Sequence, residues 1–389
     1  MTLPLPLSLP FGLELFPFQI DALQKLIHSE PCHLLCIAPT GSGKTRIIEA
    51  LCCVENLRIL VISPLQALSQ QHLETLSQVS GEVSFDPSSS SRARIWIASP
   101  EMIEARPDRL KEFRPDLLVV DECHLCEEWG GSGFRPSFLK LPAILAEIPT
   151  VRRSLWLTAT LSYADRNALV DRISSQVADP ATSVSQLGKF DWPRGLQLRN
   201  LRIPPRDHLD FIETWFEQNG TESGIIFCQT RNQVERVHRY LSQSTRGSLR
   251  IEKYHAGLCQ EERRGAEIRI RKTVVSAATA PPVWVIGTTA YGLGMDLPGF
   301  EFSIQLGTPR SIPELCQLAG RTARGGKPGL AMVIWHPEDH MSPHTVLEFL
   351  MSPDCHVRNL QTWFETGQWI DPRRPIRLLQ GREIPTTLE

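Results

Sequence analysis

The stretch Ala38-Pro39-Thr40-Gly41-Ser42-Gly43-Lys44-Thr45 follows the apolar run Leu34-Leu35-Cys36-Ile37. With Ala38 standing in for the usual first glycine, it fits the G-x-x-x-x-G-K-[ST] phosphate loop. Gly41 and Gly43 let the backbone curl so that successive N–H groups face one phosphate, and a helix starting near Lys44 adds its positive dipole end. Lys44 then reaches the β/γ-phosphates, and Thr45 offers its hydroxyl to Mg²⁺. An ordinary glycine-rich turn would look similar in isolation. The strand before it and the helical pattern Ile47-Ile48-Leu51 after it favour a nucleoside triphosphate site.

Working outward, short apolar runs end in small or charged residues at Arg58-Ser63, Arg94-Ser99, Leu117-Asp121 and Leu155-Thr158. Helix-like stretches such as Gln66-Leu76 and Phe138-Ala146 lie between them. Short buried strands alternating with helices indicate a mostly parallel sheet covered on both faces. The segment Gly81-Arg94, with serines at its centre, reads as an exposed loop. After the proline-bearing stretch Asp191-Pro205 a second series begins. Its strands are expected at Gly224-Cys228, Ile251-Tyr254, Val283-Gly287, Phe302-Leu306 and Ala331-Trp335, and its helices around Arg231-Leu241, Gln260-Ile270 and Ile312-Ala319. The expected organisation is therefore two tandem α/β domains, 1–190 and 191–340, and a short extension, 341–389, carrying the helix-like Val346-Leu350 and Val357-Trp363.

The 389 residues include 41% hydrophobic and 22% charged side chains, an ordinary globular balance. No run approaches the roughly 20 apolar residues of a membrane span. The N-terminal stretch has three prolines and no positive n-region, so an intracellular protein without a membrane role is expected. The ten cysteines are scattered, and Cys123 and Cys126 read as buried, reduced thiols rather than half of a metal site. A net charge of -2 means that any nucleic acid must be held by a local groove and not by a whole-molecule field.

Two carboxylates, Asp121 and Glu122, close the run Leu117-Val120. An acid at the end of a strand neighbouring the phosphate loop is where Mg²⁺ needs a ligand, and the next acid can orient an attacking water. Thr158-Ala159-Thr160 ends another strand, where small hydroxyl residues can link the nucleotide site to whatever lies across a cleft. Trp129, Phe134 and Phe138 beside Arg135 offer stacking surfaces and a phosphate partner for a single strand. Arg321 and Arg324, three apart, share a helical face.

The order of phosphate loop, VISPLQALSQQ, ASPE, DECH, TAT, YHAGL, TTAYGLGMDLP and QLAGRTARGG resembles that of superfamily 2 helicases. The segment Glu127-Glu128-Trp129-Gly130-Gly131-Ser132-Gly133-Phe134-Arg135-Pro136 is similar to the aromatic-rich loop of the RecQ family. The resemblance implies two RecA-like domains, ATP with Mg²⁺ as cofactors, and 3′ to 5′ movement on single-stranded DNA with duplex unwinding. It implies that Gln19 reads adenine, while Phe16 stands where an arginine is common. Thr40, Gly41, Ser42, Gly43 and Lys44 would hold the phosphates, Thr45 and Asp121 the Mg²⁺, and Glu122 would activate water. His124 would link this site to the aromatic loop formed by Trp129, Phe134 and Arg135. Gln317, Arg321 and Arg324 would supply the arginine-finger motif from the second domain, and Gly292, Gly294 and Asp296 would close on the ribose. Ser63, Pro64, Gln66, Ser99, Pro100, Thr288 and Arg310 would line the nucleic-acid track. Two other readings stand beside this one: an RNA-directed motor, and a non-unwinding ATPase subunit of a larger repair, transposition or defence assembly.

Cys355, with Leu360, Trp363 and Phe364 after it, looks like the opening helix of the RecQ zinc module. No cysteine follows it, so no structural zinc site is expected. Trp363, Phe364, Trp369 and Ile370 are expected to fold back on the second domain, with a surface for a protein partner as the alternative.

Overall fold

Cys32–Ile37, Ile59–Ile62, Ile95–Ala98 and Leu117–Val120 are apolar on both faces apart from His33, and all their residues are buried. Strands of this kind need cover on both sides, which helices packed on a parallel sheet provide. The computed structural model describes residues 15–28, 32–64, 66–86, 92–177, 184–219, 222–244, 250–275, 282–289, 300–322, 327–337, 339, 343–353 and 355–369.

The first unit runs α1 (Pro17–His28), β1 (Cys32–Ile37), α2 (Thr45–Cys52), β2 (Ile59–Ile62), α3 (Gln66–Val79), β3 (Val83–Ser84), β4 (Ile95–Ala98), α4 (Pro100–Ala105), α5 (Pro107–Phe113) and β5 (Leu117–Val120). It continues through a π-helical turn (Cys126–Gly130), a 3-10 stretch (Pro136–Ala143), α6 (Ile144–Glu147), β6 (Arg153–Thr158), α7 (Tyr163–Gln176) and β7 (Val184–Gly188). The second unit comprises β8 (Leu196–Arg202), α8 (His208–Asn219), β9 (Gly224–Cys228), α9 (Arg231–Ser244), β10 (Arg250–Tyr254), α10 (Gln260–Val275), β11 (Val283–Thr288), β12 (Phe302–Leu306), α11 (Ile312–Ala319) and β13 (Gly329–Trp335). Two further helices follow, α12 (His344–Met351) and α13 (His356–Thr366).

The strand orders are β3-β4-β2-β5-β6-β1-β7 and β10-β11-β9-β12-β13-β8. Every pairing in both sheets is parallel. The C-terminal ends of β1, β2, β4, β5 and β6 therefore lie along one edge of the first sheet, where ligands bind in open α/β sheets. The phosphate loop, Ser63, Ser99, Asp121 and Ala159 all emerge there.

Three expectations are corrected. Leu196–Arg202, expected within a connecting stretch, is the edge strand of the second sheet, and Val184–Gly188 extends the first sheet beside β1. Both alternate between partly buried and exposed residues and lack the apolar run that marks the inner strands. Phe138–Ala146 is 3-10 structure that turns α-helical only at Ile144, because Pro142 inside it removes an α-helical donor. Within Gly81–Arg94, Val83 and Ser84 pair with β4, and the centre of that segment lies outside the described residues.

The extension folds back as expected. Phe364 stacks on Phe190 with centroids 3.9 Å apart, and Trp363 stacks on Trp369 at 5.4 Å. These rings join Phe349, Leu360 and Trp192 in one core. Asn200 of β8 donates to the carbonyl of Leu350 at 3.2 Å. The same helix α13 also reaches the first unit, where Lys189 pairs with Glu365 at 2.7 Å and Arg166 donates to the Glu365 carbonyl at 3.5 Å. Ile370 lies outside the described residues.

Arg94 ties the far end of the phosphate-loop helix to the sheet. Its guanidinium donates to the carbonyls of Val54 at 2.9 Å, Leu57 at 3.0 Å and Cys52 at 3.2 Å, and it pairs with Glu82. The Cys52 carbonyl is one that the helix end leaves without an intrahelical donor, and the other two belong to the turn that follows it. Arg94→Ala is expected to lower unfolding stability by about 1–3 kcal/mol, read as a shifted urea midpoint with an unchanged slope.

Candidate active site between the two sheets

The loop after β1 takes the shape that its glycines allow. Gly41 and Gly43 have φ of 76° and 79°, in the left-handed region that only glycine enters cheaply. Lys44 precedes α2 with its side chain folded over the loop, donating to the carbonyls of Ala38 at 2.9 Å and Pro39 at 3.1 Å. Gln19 lies fully buried beneath the loop. Its amide donates to the carbonyls of Gly43 at 2.8 Å and Ser42 at 3.3 Å and accepts from the Phe16 N–H at 2.8 Å. Both ends of the Gln19 amide are engaged with backbone, so the residue expected to read adenine here props the phosphate loop.

Asp121 and Glu122 follow β5 across the cleft. Glu122 has φ of 50°, a conformation costly for a side chain with a Cβ. Neighbouring strands hold it there, since the Asp121 N–H donates to Ile62 at 3.0 Å and the Cys123 N–H to Leu157 at 2.9 Å. Burial alone would raise the Asp121 carboxyl, but the hydrogen bond from His72 and the charges of His72 and Lys44 outweigh it, and it sits below the usual range. Burial and then the Asp121 charge push Glu122 up, against the pull of Lys44 and Arg321. A cleft of about 340 Å³ is lined by the loop, Thr45, Asp121, Glu122 and Arg321.

These residues fit a nucleotide with a hard cation. The donors Thr45, Asp121 and Glu122 are all oxygen, as Mg²⁺ prefers. Glu122 Oε2 is buried without a hydrogen-bond partner, and a bound polar group would satisfy it.

Across the cleft the second unit meets the first at Thr40, His124 and Thr160. The Thr40 hydroxyl donates to the carbonyl of Gly320 at 3.2 Å, and a Cβ on Gly320 would fall 2.2 Å from that hydroxyl. The Gln317 amide donates to His124 Nε2 at 2.7 Å and to Thr160 Oγ1 at 2.9 Å. On the other side of the ring, His124 Nδ1 lies 3.0 Å from Thr158 Oγ1. The Thr158 hydroxyl spends its hydrogen on the Thr160 carbonyl at 2.9 Å, so His124 Nδ1 must be the donor and Nε2 the acceptor. The imidazole is neutral, as its burial requires, and burial drives its pKa down to about 3. Thr158 and Thr160 thus hold His124 and Gln317 together, and His124 Nδ1 lies 3.4 Å from Glu122 Oε2 of the acid pair.

The aromatic segment differs from expectation. Arg135 forms a bidentate pair with Glu101 at 2.6 Å and donates to the Pro64 carbonyl at 2.5 Å, lying over the rings of Trp129 and Phe138. It works as an internal clamp, with its fork already filled by a carboxylate. Phe138 is buried in the core and presents no stacking face, whereas Phe134 is 72% exposed and meets Trp129 edge-on at 5.8 Å. The turn carrying Trp129 is π-helical, a local form frequent at functional sites.

Along the strand ends, Ser63 and Pro64 are buried, so the Ser63 hydroxyl does not present itself to a phosphate. The Ser99 hydroxyl caps α4 by accepting from Met102 N–H at 3.2 Å, and Pro100 is buried behind it. Thr288 is half-buried at the end of β11. Arg310 is held by Glu314 and donates to Thr289 at 2.7 Å. Gly292, Gly294, Asp296 and Arg324 lie outside the described residues, as does the side chain of Gln66.

Sequence reasoning missed His72, which donates to Asp121 Oδ2 at 2.9 Å. The available signal was a histidine four residues from each of Leu68 and Leu76, on the buried stripe of α3. It also missed a cavity of about 230 Å³ where His124, Glu128 and Asp165 face Arg310, Pro343 and Trp363. Burial pushes the Glu128 carboxyl up to about 7, with the Glu314 and Asp165 charges adding and Arg310 opposing. A carboxyl raised on folding binds more protons folded than unfolded between its ordinary range and pH 7, so stability falls as pH rises through that window. Glu128→Gln is therefore expected to raise the melting temperature more at pH 8 than at pH 5.

Residues 16–169 match the DEAD/DEAH box helicase family and residues 207–326 the helicase conserved C-terminal domain. The chain is 23% identical over 357 residues to the ATP-dependent DNA helicase RecQ of Bacillus subtilis, covering 87% of this chain and 57% of that protein. To the enzyme of the same name from Pasteurella multocida it is 27% identical over 346 residues, covering 84% and 51%. The chain thus spans about half the length of these relatives. In fold it is similar to S. cerevisiae Dbp5 bound to RNA and ADP BeF3, with a TM-score of 0.65, 18% identity and 87% of each chain covered. It is likewise similar to the DUF1998 helicase MrfA bound to DNA, with a TM-score of 0.64, 19% identity and 86% and 50% covered. The chain belongs to the superfamily 2 helicases and carries a RecQ-family helicase core of two RecA-like α/β units.

Proposed function

We propose that the chain is an ATP-dependent DNA helicase that couples hydrolysis to 3′ to 5′ movement along single-stranded DNA and to duplex unwinding. The observation that carries this reading is the Gln317 amide bridging to His124 and Thr160, within reach of the acid pair. It supplies a physical route by which nucleotide chemistry and relative movement of the two units can be linked. The RecQ relatives support DNA as the track.

In this reading the N–H groups of Thr40, Gly41, Ser42 and Gly43 cradle phosphate while Lys44 turns from its loop carbonyls to the β/γ-phosphates. Thr45 and Asp121 would hold Mg²⁺, which would supply charge neutralisation at the phosphates. Glu122, made more basic by burial and by Asp121, takes a proton from the attacking water. Arg321, already lining the cleft, stabilises charge that builds in the transition state, with Arg324 as its neighbour in the same motif. Gln19 and Asp296 complete nucleotide binding at base and ribose. Phe134 offers its exposed ring to a base of the single strand, and Trp129, packed against it, passes the contact toward His124. Thr288 and the Ser99 N–H hold the strand by its phosphates without reading sequence, whereas the Ser63 N–H is spent on the Ala98 carbonyl and Pro64 has none to give. A protein partner would meet the extension.

ATPase activity should rise with single-stranded DNA and fall by at least about 10²-fold in Glu122→Gln and by about 10³-fold or more in Arg321→Ala. Phe134→Ala should leave the DNA-free rate unchanged while removing most of the stimulation. Wild-type turnover indifferent to DNA would sink the proposal, and stronger stimulation by RNA than by DNA would move the track to RNA. In Gly320→Ala the added methyl collides with Thr40 and holds the cleft apart. Turnover should drop about 10²-fold while affinity for a fluorescent ATP analogue stays within about threefold.

A further inference from the structure

His72 belongs to none of the helicase motifs quoted above, yet it touches the cleft's carboxylate directly. It lies on α3 between Leu68 and Leu76, on a stripe otherwise given to the core, and is almost completely buried. A polar ring there is costly unless its hydrogen bonds are made. One is made to Asp121, Nε2 to Oδ2 at 2.9 Å. Since a carboxylate can only accept, Nε2 carries the hydrogen. The other oxygen of Asp121 accepts from the Glu122 N–H at 3.0 Å. Each carboxylate oxygen has two lone pairs, so both remain able to accept once more.

We propose that His72 is a positioning residue for cation binding, fixing the Asp121 carboxylate plane so that its remaining lone pairs face the cleft in one orientation. The proposal rests on the reading of the cleft as an ATP–Mg²⁺ site. Without His72, one oxygen is restrained by backbone alone and the side-chain torsions of Asp121 are freed. Partners that orient metal-bound side chains typically change metal affinity by about 10- to 100-fold when removed. A purely structural histidine would instead affect nucleotide binding equally with and without metal.

The test is a titration of a fluorescent ATP analogue against the full chain, first in EDTA and then with increasing Mg²⁺. For His72→Ala the affinity in EDTA should stay near wild type, while the Mg²⁺ concentration giving half of the metal-dependent change should rise about tenfold or more. His72→Gln, whose amide can donate to the same oxygen, should recover most of the shift. If His72→Ala fails to fold, His72→Asn, too short to reach Oδ2, takes its place with the same expectation. An unchanged Mg²⁺ midpoint in a folded variant overturns the proposal. So does an equal loss of affinity in EDTA and in Mg²⁺, or a His72→Gln variant no better than alanine. A wild-type chain with no Mg²⁺-linked nucleotide affinity would overturn the reading of the cleft itself.

Discussion

Two hydrogens on one amide nitrogen hold the active geometry together. Gln317 gives one to His124 and the other to Thr160, and both acceptors sit at strand ends of the opposite sheet. The arrangement works only if His124 Nε2 is free of a proton, and the Thr158 hydroxyl settles that by taking the ring's other nitrogen as donor. Burial then makes the neutral form the stable one. A charged imidazole would repel the Gln317 amide and would lose the solvation that a buried charge needs. The Gln317 bridge itself thus contains no group that titrates near neutrality.

The acid pair depends on the same economy of hydrogen bonds. Asp121 has donors on both oxygens and stays ionised, whereas Glu122 Oε2 is buried without a hydrogen bond, 3.4 Å from His124 Nδ1, and burial and the Asp121 charge push Glu122 toward protonation. Adjacent carboxylates thereby acquire opposite tendencies from their surroundings alone. The left-handed backbone at Glu122 makes this possible by turning it away from the environment of Asp121 within a single residue.

Much of this was legible in the sequence, for identifiable reasons. The inner strands are apolar on both faces, so their ends could be read, and with them the phosphate loop, Asp121, Glu122 and the threonines after β6. Gln317 and Arg321 were legible because the helix carrying them resembles a motif with few alternatives. Residue type does not disclose a partner, however. Arg135 looked like a phosphate contact and proved to be filled by Glu101, while Phe138 looked like a stacking surface and proved to be core. The edge strands β7 and β8 escaped because half-exposed strands lack an apolar run. His72 escaped because its partner stands 49 positions away and only the packing of α3 against the first sheet brings the two together.

Helix α13 is attached unequally on its two sides. Toward the second sheet it buries Leu360 and Phe364 in a continuous apolar core, with Phe190 stacked face to face. Toward α7 and the residue after β7 it offers a surface lysine pair, one long hydrogen bond and the approach of Gly367 to Tyr163. Apolar burial of that extent far outweighs exposed ion pairs, which are worth about 1 kcal/mol or less. Were the two units to separate, the helix would stay with the second sheet and part from α7. It is mechanically a bearing, with one face bonded and the other lightly held.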